Sequence, residues 1–176
     1  GGKWVYARDF VHNFFALVPP AKYFESHPEY FSEIEGKRTY INAQICLTNP
    51  DVLKIAIESC RQTLQQNPDA KIMTISQMDH NGWCTCRQCR ELDEAEGSQS
   101  ATILSFVNSI AKALEDEFPS VWFDTLAYTY GVKPPKTIRP APNVIIRLCN
   151  MGACDSHTLE NCEKNKTFVA YLEQWK

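Results

Sequence analysis

Three cysteines spaced Cys-x-Cys-x-x-Cys, at positions 84, 86 and 89, fall within the stretch KIMTISQMDHNGWCTCRQCRELDEAEG, residues 71–97. Thiols packed so closely along a chain hold a metal ion, pair as disulfides or stay free. As zinc ligands, Cys84, Cys86 and Cys89 need a fourth partner, and Cys154, His157 and His80 are the candidates. As disulfides, the pairs to expect are Cys86 with Cys89, or Cys84 with a cysteine of residues 149–162. Thiol nucleophilic catalysis is disfavoured, because the acidic run Glu91, Asp93, Glu94, Glu96 raises a nearby cysteine pKa. That run reads as a solvated polar entrance to the next helix.

Asp79 and His80 stand just upstream, past an apolar strand-like run at residues 72–75. Enzymes with parallel sheets keep catalytic groups at that end of a strand. A carboxylate there can serve as nucleophile, base or acid, and an imidazole can move a proton near neutral pH. Asp79 could equally cap a loop or orient Arg147. His12, Gln77, Asn81, Trp83, Tyr128, Tyr130, Arg147 and Asn150 all fall at or near the ends of apolar runs. Amides, aromatic faces and charged donors suit a sugar, which offers hydroxyls at its edge and C–H groups on its face. For any one of them the plainer reading is loop polarity or a buried ring.

The elements that must position these groups can be read from periodicity. Residues 4–7 form a short strand that runs into Arg8 and Asp9; residues 11–18 form an apolar loop, and Pro19-Pro20 start a short helix. Glu35-Gly36 joins the arms of a hairpin, and residues 44–47 make another short strand. Asn49-Pro50-Asp51 starts a helix with Leu53, Ile57, Cys60 and Leu64 on its apolar face. After the strand at residues 72–75 comes a long loop. A helix over residues 100–117 follows, with Ile103, Val107, Ile110 and Leu114 facing inward. Residues 121–128 and 144–148 are apolar strands separated by a proline-rich connection without a helix, and residues 167–175 form the last helix. Apolar strands alternating with helices predict an α/β domain with about five parallel strands, part of a (β/α) TIM-type barrel rather than a complete one.

The 176 residues suffice for one domain, 1–176, with a substantial core. Hydrophobic residues make up 44% and charged residues 22%, as expected for a globular fold. The net charge is -3 and there is no basic block, which argues against a nucleic-acid partner. No apolar run approaches the roughly 18 residues of a membrane span. Eight cysteines fit either metal chemistry or an oxidising compartment. The Gly-Gly-Lys start reads like a piece of a longer multidomain protein.

Two stretches carry a resemblance: HNFFALVPPAKYFESHPEYFSEIEGKR with QICLTNPDV, and SQMDHNGWCTCRQCRELDEAEGSQSATILSFVN with DTLAY and VIIRLC. They resemble a bacterial domain-of-unknown-function family whose barrel is similar to those of α-glucuronidases and β-hexosaminidases. The resemblance implies a carbohydrate-active domain in an exported protein, periplasmic or secreted, beside other domains of the same parent chain. The expected reaction is hydrolysis of O-glycosidic bonds at the C-terminal strand ends, with an oligo- or polysaccharide as partner. No cofactor is required for that chemistry, and a structural zinc is the one metal expected. The rival readings are a non-catalytic carbohydrate-binding or scaffold module and a metal-dependent hydrolase centred on the cysteine loop. The second carboxyl of a glycosidase is not evident; it is expected beyond Lys176, or is replaced by an N-acetyl group of the substrate.

Overall fold

The fold, from a computed structural model of the chain, is described for residues 4–7 and 11–176. Two one-turn helices, α1 (Phe14–Leu17) and α2 (Pro20–Tyr23), lead to the hairpin β1 (Glu33–Ile34) and β2 (Lys37–Arg38). The long helix α3 (Pro50–Gln66) precedes β3 (Ile72–Thr74), and α4 (Arg87–Glu96) and α5 (Ser100–Leu114) precede β4 (Trp122–Ala127). β5 (Val144–Leu148) and α6 (Lys166–Trp175) complete the chain.

The sheet is parallel, in the order β3-β4-β5. A single parallel bridge, Tyr6 to Ile72, lays residues 4–7 along the free edge of β3. The architecture is therefore α/β with a three-stranded parallel sheet, and no closed barrel forms among the described residues. The five strands expected are not all present, because residues 44–47 make no ladder. Ile45 only bridges Phe31, and Ala43 only bridges Gly82. The Arg8-Asp9 end expected for the first strand lies outside the described residues.

Local chemistry explains most elements. The side chain of Asn49 accepts from the N–H groups of Asp51 and Val52, so α3 starts with its first donors satisfied. Glu35 and Gly36 both have positive φ, 50° and 75°, as a tight two-residue hairpin turn requires. The buried stripe of α3 is Val52, Ala56, Cys60 and Leu64; Leu53 and Ile57, expected inward, are only partly covered. The anticipated stripe of α5 is buried in full, along with most of that helix. α4 was expected as loop. Its composition is so polar that only Cys89, Asp93 and Glu96 turn inward, and Gly97 closes it in the left-handed conformation at φ 68°.

Candidate functional site

The parallel strands put the residues after β3, β4 and β5 at one rim. β3 is extended there by side chains. Asn13, 1% exposed, donates to Thr74 O at 2.6 Å and accepts from Ser76 N at 2.9 Å, tying residues 11–14 to the strand end. His12 follows this tie, with its N–H on Ser76 Oγ at 2.8 Å and Nδ1 2.7 Å from Gln77 O. Across the rim, Tyr128 Oη donates to Asp79 Oδ1 at 2.8 Å, and the rings of His12 and Tyr128 stand 5.9 Å apart. His12 and Thr129 both adopt positive φ, 57° and 45°. For a β-branched residue such as Thr129 that is a genuine outlier, and such strain collects at functional sites.

His12, Asp79 and Tyr128 thus converge. His80, Asn81 and Asn150 are exposed on the neighbouring loops. Trp83 and Tyr130 pack on each other with ring centroids 5.3 Å apart. Gln77 is fully buried and donates to the carbonyls of Leu126 and Tyr128, so it ties β3 to β4 rather than projecting outward. Arg147 is not oriented by Asp79, as one expectation had it. It pairs with Asp124 at 2.6 Å, and Asp124 is 1% exposed. Burial raises the Asp124 carboxyl pKa against the opposing effects of Thr74 and Arg147. The hydrogen bond to Asp79 raises the Tyr128 phenol, keeping it protonated as a donor.

The cysteines form a second centre. Cys46, Cys84, Cys86 and Cys89 are all buried, with every sulfur within 4.8 Å of the others. Cys46 Sγ is 3.7 Å from Cys86 Sγ and 4.0 Å from Cys89 Sγ. All eight cysteines are free thiols, so the disulfide pairs expected from sequence do not form. The fourth member is Cys46, not Cys154, His157 or His80. Cys46 lies 40 residues before Cys86, a separation local spacing rules do not span. Its signal was a cysteine on the short segment just ahead of a strongly capped helix.

Two contacts bring Cys46 into place. Its N–H donates to Tyr30 O at 2.8 Å, and the 82–83 turn lies flat against residues 42–44. Gly82 permits that approach, because a Cβ there would stand 2.8 Å from Ala43 Cα and closer still to Asn42 O. The hairpin then folds over the sulfurs. Glu33 N donates to Cys84 Sγ at 3.3 Å and Arg38 reaches the same sulfur at 3.6 Å, while Thr48 Oγ1 is 3.1 Å from Cys89 Sγ. Cys86 is the N-cap of α4, so the positive end of that helix also faces the group. Hydrogen bonds from Cys84 and Cys89 lower the pKa of the Cys46 thiol. Its partnership pushes Cys84 up to about 12 and raises Cys89. Four converging sulfurs backed by N–H donors and a cation form a closed, soft donor set able to hold a metal ion.

The acidic run of α4 is not all solvated. Asp93 accepts from Thr102 N at 3.1 Å near the start of α5, and burial pushes its carboxyl up to about 6. Glu96 is held by Thr137 and Ile138. Both carboxyls have structural partners.

Comparison with known proteins adds one result. The family model described as Domain of unknown function (DUF4838) matches residues 2–176. No curated protein and no solved structure matches the chain.

Proposed function

The chain belongs to that domain-of-unknown-function family, and from this premise we propose that it is a carbohydrate-active domain, a partial (β/α) barrel that hydrolyses O-glycosidic bonds at its strand-end rim. The observation that carries the reading is the 2.8 Å bond from Tyr128 to Asp79, beside the ring of His12. The phenol occupies one oxygen of an exposed carboxylate, and on this reading Asp79 acts as base or nucleophile. His80, exposed next to it, is the candidate from these residues for delivering a proton to the leaving oxygen. His12 and Tyr128 bind sugar hydroxyls, and Asn81 and Asn150 offer amides from neighbouring loops. Arg147 serves from below by fixing Asp124 and the β4–β5 edge rather than by touching substrate.

The same reading assigns a structural zinc to Cys46, Cys84, Cys86 and Cys89. Zinc–sulfur bonds of about 2.3 Å in a tetrahedron put ligand sulfurs about 3.8 Å apart. The separations of the Cys46 sulfur from those of Cys86 and Cys89, 3.7 and 4.0 Å, bracket that distance. Burial of all four sulfurs shields them from oxidation, which suits an extracytoplasmic bacterial protein carrying other domains on its parent chain.

The test is a screen of aryl glycosides and oligosaccharides on the protein and its His12→Ala variant, with zinc measured before and after a chelator. Sugar turnover weakened by the substitution, together with zinc that resists the chelator, is the expected result. Binding without turnover would convert the reading to a sugar-binding module. Neither binding nor turnover across the panel would overturn it.

A further inference from the structure

Cys154, His157 and Cys162 bring three more ligand atoms within 4.8 Å of one another, in the loop between β5 and α6. The Cys154 sulfur lies 3.1 Å from His157 Nδ1. The loop has almost no core. Of residues 149–165 only Asn165 is buried, and it is fully covered. Its side chain accepts from Cys154 N at 2.7 Å and donates to the carbonyls of Cys154 and Thr158 at 3.2 and 3.4 Å. Its backbone N–H donates to Cys162 O at 2.9 Å. Asn165 thus ties the turn that carries the first two ligand atoms through its side chain, and the residue that carries the third through its backbone N–H. A surface loop without apolar burial holds such a shape at high conformational-entropy cost unless something links its ends.

We infer that Cys154, His157 and Cys162 form a second zinc site, separate from the four-cysteine group, with its fourth coordination position open to water or an oxygen ligand. On binding, the two thiols release their protons to solvent and the neutral imidazole donates through Nδ1. Two features set this site apart from the first. It has three protein ligands instead of four, and they are exposed or half-buried where the other four are buried. Three ligands with an open position are the arrangement of reactive zinc, whose bound water is acidified; four closed thiolates are that of structural zinc. The adjacent Ala153 lines a cleft of about 230 Å³ that also reaches Thr129 beside the strand-end rim.

The experiment is a zinc titration of the metal-free, reduced full chain, read with a chromogenic chelator. The chain is expected to take two equivalents, one resistant to the chelator and one readily removed. His157→Ala and Cys162→Ser should each lose only the removable equivalent, with a melting temperature close to that of the parent, because the loop lies outside the core. Cys46→Ser should lose the resistant equivalent and keep the other. With cobalt in the weaker site, added cyanide should change the absorption spectrum, as an open position requires. The inference is overturned by equal stoichiometry in the parent and His157→Ala, or by a cobalt spectrum indifferent to cyanide. A Cys154–Cys162 disulfide that persists in the zinc-loaded protein would overturn it as well. None of these readouts depends on sugar turnover, so the fate of the glycosidase reading leaves them intact.

Discussion

The loop that follows β3 ends in two opposite ways. Its later part runs into α4, and there Cys84, Cys86 and Cys89 are buried, their sulfurs meet Cys46, and Cys84 receives hydrogen bonds from Glu33 and Arg38. Its earlier part, Asp79 to Asn81, is exposed, and the Asp79 side chain accepts from Tyr128. A closed set of four ligands has no position left for substrate and can only hold structure. An exposed carboxylate with lone pairs to spare can still take a sugar hydroxyl. The comparison teaches that anchoring and access are divided along one loop, with Gly82 and Trp83 at the junction.

The largest effect should come from breaking the anchor. Cys46→Ser should abolish chelator-resistant zinc and cost about 3 kcal/mol or more, since structural zinc contributes folding free energy directly. Limited proteolysis should then cut within residues 79–90. Cys60→Ser, buried on α3 away from the group, should keep its zinc. If the two variants behave alike, the four sulfurs are packing and not a metal site.

Next in size is the ion pair beneath the rim. Arg147→Met leaves the carboxyl of Asp124 buried without its cation, and losing one partner of a buried pair costs about 3–5 kcal/mol. Chemical denaturation measures it. Arg147→Met combined with Asp124→Asn should recover much of the loss; no recovery would mean that Arg147 acts through other contacts.

A pH effect comes third. The Asp93 carboxyl titrates at about 6 in the fold and at about 3.9 in an unfolded chain. The folded form binds that proton more tightly, so the stability it supplies is complete below about pH 4. It is lost as pH rises through about 6. The change is about 1–3 kcal/mol, and Asp93→Asn, which preserves the acceptor for Thr102 N, should flatten it. A melting temperature with the same pH dependence in both proteins would contradict the assignment.

Where the sequence was legible, the reasons were local. The Asn49 cap, the Glu35-Gly36 turn and the apolar runs of β3, β4 and β5 each declare themselves within a few residues. The parallel direction of β3 and β4 followed from the helices between them. What stayed hidden depended on contacts distant in the chain. Cys46 joins its partners only because Gly82 allows two loops to touch. Gln77 looks like a sugar-binding amide and is instead a buried tie between strands, a distinction set by the position of β4. Asp93 and Glu96 look like members of a solvated run until α5 and residues 137–138 arrive to cover them. Asn13, an unremarked amide in sequence, holds the end of β3.

The smallest structural change carries the most direct test. Asp79→Asn is nearly isosteric and still accepts from Tyr128, and Asp79 is exposed, so folding and zinc content should be unchanged. The measurement is the rate of aryl-glycoside hydrolysis by this variant relative to the parent. A fall of about 10²–10⁴-fold with little change in sugar affinity is predicted, the loss expected when a base or nucleophile is neutralised. An unchanged rate in the folded Asp79→Asn protein would contradict the assignment of catalysis to this rim.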